Sequence, residues 1–216
     1  MHIEVWSDVV CPFCFLGKRR LEKALTGFDR AAEVTITWRS FQLDPEHPRG
    51  VNTPTVDSLV RKFGAPLVQI EALNARVTAQ AAEEGLDYHL DRAVTANTFD
   101  AHRMVHLAAS LGLGDAMQER LMRAALIDGS AVDDTDTLIR LGTEVGVPVE
   151  EARRVLTADE YAQDVRRDIS DAQALGITGV PFFVLDRAYG VSGAQPVDAF
   201  LSALRRAGQD AGTAAR

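Results

Sequence analysis

Segments patterned for β-strands lie at the two ends of this chain, and helical periodicity fills the stretch between them. Residues 2–7, HIEVWS, partly alternate and are β-rich, so they read as a strand. From Pro12 to about Leu25 the period becomes helical, with Phe15, Leu16, Leu21 and Leu25 on a common side. Pro12 suits an early helical position, where its missing N–H costs nothing. Residues 34–43, VTITWRSFQL, read as a second strand, which completes a β-α-β unit. The proline-rich polar run DPEHPRGVNTPT reads as a loop, and helices are expected near 55–63, 66–84, 98–111, 115–128, 134–145 and 148–156. A helix over 158–175, strands at 182–186 and 189–192, and a helix over 196–207 follow. A half-sheet at each end implies one sheet interrupted by an insertion. The expected division is therefore 1–50 and 158–207 for the two parts of an α/β domain, 51–157 for an all-helical insertion, and 208–216 for a small, polar, disordered tail.

The 216 residues are 46% hydrophobic and 25% charged, ordinary for a globular chain able to bury a core. A formal charge of −8 argues against a nucleic-acid or anionic-membrane partner, because no net positive field exists to release counterions. The short basic runs at 18–20, 153–154, 166–167 and 205–206 fall in helix-like segments and read as solvated faces. The opening MHIEVWSD has no leader pattern, and no apolar run approaches bilayer length, so a cytoplasmic address is expected.

Both cysteines of the chain, Cys11 and Cys14, fall in one CPFC step at the strand-to-helix turn. In a reducing compartment such a pair points to redox chemistry or metal. A closed zinc site needs about four ligands. The candidates beyond the pair are the scattered His2, His47, His89, His102 and His106, and His102 and His106 lack an intervening glutamate. No metal and no organic cofactor are expected. Spaced i, i+3 in a first helical turn, the two sulfurs fall within bridging range. Cys11, at the helix start, meets free N–H groups and the positive end of the dipole, which stabilise a thiolate; it reads as the nucleophile. Cys14, one turn inside, suits the resolving role. A second signal is TGVPFF at 178–183, where Pro181 opens a strand either as an ordinary trans proline or as a cis turn. In the second case Val180 offers its backbone to an extended substrate.

The CPFC step, the segment DAQALGITGVPFFVL and the helical block between them resemble the DsbA-like thioredoxin-fold oxidoreductases. SDVVCPFCFLGK, WRSFQLDP, NTFDAHRMVHLA and GVSGAQP are similar to motifs of the FrnE-type branch, over about residues 3–207. The resemblance implies a thioredoxin fold with an inserted helical domain, Cys11 attacking, Cys14 resolving, and a cis Val180–Pro181 bond opposite them. It also implies thiol or disulfide substrates, protein or small molecule, with glutathione among the partners. Val180, Pro181 and Phe13 are the candidate substrate contacts. Phe13 stands where strongly oxidising members carry a histidine, so a milder oxidant is expected. Asn97, His102 and Arg103 match a family motif, but helix capping explains Asn97 at least as well. Two alternatives stand beside this reading. One is a glutathione-dependent isomerase or transferase of the 2-hydroxychromene-2-carboxylate isomerase or kappa class, which typically holds serine at the Cys11 position. The other is an accessory protein of polyketide biosynthesis.

Overall fold

The structure, a computed structural model, describes residues 1–214, with side chains through 209. In chain order the elements are β1 (His2–Ser7), α1 (Pro12–Thr26), β2 (Thr35–Ser40), β3 (Thr53–Pro54), α2 (Thr55–Phe63), α3 (Leu67–Glu83) and β4 (Val94–Thr95). Then come α4 (Phe99–Ser110), α5 (Gly114–Arg123), α6 (Thr135–Glu144), α7 (Val149–Thr157), α8 (Ala162–Ala174), β5 (Phe182–Leu185), β6 (Tyr189–Ser192) and α9 (Val197–Ala214).

The two chain ends build one sheet of order β2-β1-β5-β6. β1 runs parallel to β2, from His2↔Thr35 to Ser7↔Ser40, and antiparallel to β5, from Ile3↔Leu185 to Trp6↔Phe182. The parallel pair needs a crossover, and α1 supplies it. Strand alternation divides the core. Ile3, Val5 and Phe183 join Phe15 of α1 and Phe200 and Leu204 of α9 on one face. Trp6 and Val184 meet Ala172 of α8 and Ile177 on the other. Phe183 and Phe200 lock the first face edge-to-face, with centroids 4.7 Å apart. This is a thioredoxin fold in which α2–α7 fall between β2 and α8.

The second face carries buried charge. Asp168 of α8 accepts hydrogen bonds from Arg39 Nη1 at 2.9 Å and the Ser40 amide at 2.9 Å, and its carboxylate lies 3.0 Å from His106 Nε2. Glu4 of β1 accepts from Arg39 and from Arg187. Burial works to raise the Asp168 carboxyl, but His106, the Ser40 amide and Arg39 outweigh it and hold it below its usual value.

Several boundaries differ from the sequence reading. α9 continues through 208–214, where a disordered tail is expected, and 215–216 lie outside the described residues. The helix expected over 115–128 ends at Arg123 and gives way to a π-helical turn, Ala124–Asp128, closed by Gly129 at φ 69°. The helix expected from 158 begins at Ala162, after Tyr161 at φ 60°. β2 stops at Ser40, and the short β3–β4 ribbon has no counterpart in the sequence reading.

Candidate active site

β1 ends at Ser7, and a turn closed by Cys11 N–H donating to Asp8 O at 3.1 Å delivers the chain to α1. Cys11 is the N-cap, with extended φ −86° and ψ 114°, and Pro12 takes the first helical position. α1 has no acidic residue in its first turn to oppose negative charge at the helix start, although Asp8 lines the same cavity as Cys11. Both thiols are free. Tyr88, from the segment after α3, donates its hydroxyl to Pro12 O at 2.7 Å and fixes the helix start from the other side. Burial first, then the negative charge of Cys11 and Cys14, push that phenol above its ordinary range.

The Val180–Pro181 peptide is cis and faces the helix start. Cys11 Sγ donates to Val180 O at 3.8 Å, a sulfur hydrogen bond. Pro181 is buried and anchored through Gly193 N–H, which donates to its carbonyl at 2.8 Å. α1 can approach it because residue 17 is glycine: a Cβ there would lie 3.0 Å from Pro181 Cγ and 3.1 Å from Phe183 Cζ. The structure therefore brings Cys11, Cys14, Val180 and Pro181 together. Phe13 stands beside them, 39% exposed.

The two sulfurs have different surroundings. Burial pushes the Cys14 thiol well up, and its hydrogen bond to Cys11 and the Cys11 charge push it further. Opposing these are the Ser7 hydroxyl and the Asp8 backbone N–H, both directed at Cys14. Ser7 Oγ in turn accepts from Gln118 Nε2 of α5 at 3.1 Å, and both residues are buried. Sequence spacing gives no hint of Gln118 or Tyr88, because α5 and the Tyr88 segment reach the site only through the tertiary fold, whereas Ser7 stands four residues before Cys11 in SDVVCPFC.

A cavity of about 670 Å³ opens beside Cys11 and runs under α2 and α3. Cys11, Phe13 and Val180 line it, and Cys14 and Pro181 do not. Asn97, His102 and Arg103 belong to the scaffold. Asn97, one residue before the N-cap Thr98 of α4, accepts from Phe99 N–H on its Oδ1 at 3.0 Å. His102 Nε2 meets Phe41 O at 2.9 Å. Arg103 Nε donates to Glu160 O at 2.8 Å, and its guanidinium also holds the Val155 and Ala158 carbonyls. Among the described residues no group of three or more His, Cys, Asp or Glu is placed to hold a metal. No helix of these residues is long and apolar enough to cross a membrane.

A reduced dithiol at a helix start, facing a proline loop across a thioredoxin sheet, defines a thioredoxin-fold protein of the DsbA type. The chain belongs to the DSBA-like thioredoxin domain family, whose model matches residues 2–205. It is similar to a probable DsbA oxidoreductase from Streptomyces coelicolor, with 43% identity and a TM-score of 0.93 over 96% of this chain and 89% of that one. Its fold is also similar to that of a 2-hydroxychromene-2-carboxylate isomerase, at 17% identity and a TM-score of 0.75 over 99% and 98% of the two chains. The cytosolic disulfide reductase DsbM from Pseudomonas aeruginosa shares the fold at 20% identity and a TM-score of 0.64, over 95% and 98%.

Proposed function

We propose that this chain is a thiol–disulfide oxidoreductase in which Cys11 is the attacking thiol and Cys14 the resolving one. The observation that carries the reading is the asymmetry of the pair: Cys11 lines the cavity beside Val180, while Cys14 sits behind it with its proton held by burial. The Cys11 thiolate attacks one sulfur of a substrate disulfide, and the other leaves as a thiolate that water protonates. Cys14 then gives up its proton to water and attacks Cys11 Sγ as a thiolate. That step closes the Cys11–Cys14 disulfide and releases the second substrate thiolate. The substrate gains two electrons and the chain loses two; two equivalents of an external thiol, glutathione among them, restore the dithiol. In the opposite direction the same steps oxidise a dithiol. Val180 and Phe13 contact the substrate, and Pro181 supports the loop behind them.

We place the chain in the FrnE-type branch and in the cytoplasm, and read 51–157 as an inserted helical domain. The likeness in fold to the isomerase supports a second reading, glutathione-dependent isomerisation. The intact cysteine pair favours redox exchange over it, and over a role as a polyketide accessory protein in which the thiols are incidental. The test is a trap. Cys14→Ser should accumulate mixed disulfides through residue 11 on non-reducing gels, and Cys11→Ser should accumulate none. Equal ladders, or ladders only from Cys11→Ser, reject the assignment.

A further inference from the structure

We infer that the cavity beside Cys11 binds the apolar body of a low-molecular-weight disulfide or thiol, so that small apolar disulfides are preferred over disulfides of folded proteins. The inference rests on the reading of Cys11 as the reacting thiol. At about 670 Å³ the cavity falls within the range of small-molecule sites, roughly 300–1,000 Å³. Its walls come from separate elements: Leu59 and Phe63 of α2, Leu73 and Val77 of α3, and Ala125 and Leu126 of the π-helical turn. A π-helical turn widens the helix locally and recurs at functional sites. α2 has no fully buried residue. Leu59 and Phe63, four residues apart on one side of it, face this space rather than a packed core, and Phe63 remains 59% exposed. An apolar occupant removes that surface from water.

The solvent end of the cavity is polar but of mixed sign, with Asp44 and His47 from the loop after β2 and Arg61 and Lys62 from α2. Asp8, Ser58, Asn74 and Thr98 add polar groups to the lining, so the cavity selects no single charge, while Leu59, Phe63, Leu73 and Val77 supply its apolar walls. Cys11 reaches the space and Cys14 does not, so an occupant meets the attacking sulfur first. A folded protein can insert only a side chain or a short segment between these walls, whereas a small molecule fits whole.

The test uses the reduced full-length chain and symmetrical dialkyl disulfides from ethyl to hexyl, whose leaving thiols have matched acidity. Second-order rate constants for oxidation of the chain are read by stopped-flow fluorescence of its tryptophans. Each added methylene should raise the rate by up to about fourfold until the cavity is filled. Leu59→Trp, which narrows it with an indole at one wall, should flatten that rise and slow the hexyl disulfide at least about tenfold. Ala125→Leu, a smaller change, should flatten it in part and serves where the tryptophan variant does not fold. Measurable rates independent of chain length, a folded-protein disulfide outpacing the hexyl compound, or an unaltered rise in a folded variant would each overturn the inference while leaving the oxidoreductase reading in place. Reaction with none of the disulfides removes both.

Discussion

One helical turn separates Cys11 from Cys14; both are buried, but only Cys11 opens on the cavity, so Cys14 must carry its charge away from it. For Cys14 to resolve a mixed disulfide it has to lose a proton where burial opposes the thiolate. Two donors face it, the Ser7 hydroxyl and the Asp8 N–H. Gln118 Nε2 donates into Ser7 Oγ, which leaves the hydroxyl proton free to point at Cys14. Hydrogen bonds to charged groups contribute about 1.5–3 kcal/mol. Ser7→Ala should therefore lengthen the life of the Cys11 mixed disulfide about tenfold or more, with the first attack little changed. Acid quenching followed by mass spectrometry measures that lifetime, and an unaltered value contradicts the role. The CPFC step could be found in the sequence because both sulfurs lie within one local turn. Gln118 could not, since 111 residues separate it from Ser7, and the role of Ser7, though it lies within SDVVCPFCFLGK, depends on that contact.

At the scale of elements, the site is a contact between the start of α1 and the loop before β5, made close by Gly17. A methyl at that position gains up to about 1 kcal/mol in helix propensity. It also meets a proline ring and a phenylalanine ring at 3.0 and 3.1 Å. Overpacking of that kind costs about 1–3 kcal/mol, and two rings fixed in a core yield little. Gly17→Ala should lower stability by up to about 2 kcal/mol in urea unfolding; a gain in stability contradicts this packing. Most elements were legible because partial alternation and β-rich residues in His2–Ser7 give way to a helical period beyond Pro12. The π-helical turn was not, because AALID continues the same apolar helical pattern and one wider turn leaves no mark on it. The last turns of α9 were missed for another reason: GQDAGTA is small and polar, and composition alone reads it as unstructured.

Across the whole molecule, the charged layer between the sheet and α8 ties together both chain ends and α4. Asp168 joins Arg39, Ser40 and His106, and Glu4 joins Arg39 and Arg187. For Glu4, burial works upward, but Arg187 and Arg39 outweigh it and hold its carboxyl below the usual value, as happens at Asp168. Groups depressed in the folded state add stability that is present above their unfolded pKa, about 4, and is lost as pH falls through the folded value. Thermal stability should therefore stay nearly level from pH 8 to 5 and drop below about pH 4. Asp168→Asn should cost about 1.5–3 kcal/mol at pH 7, since it removes one charged partner of Arg39, which keeps Glu4, and should blunt the acid drop. A full acid drop in that variant contradicts the account. The central claim, that Cys11 and Cys14 form a working redox couple, is tested most directly by equilibrating the chain in glutathione redox buffers and counting free thiols by mass. The account predicts a two-electron transition between dithiol and Cys11–Cys14 disulfide. Its potential should be more negative than about −120 mV, the value of the strong oxidant DsbA, because Phe13 offers the Cys11 thiolate no hydrogen bond. A chain that only accumulates glutathione on Cys11, and never closes the internal disulfide, would contradict it.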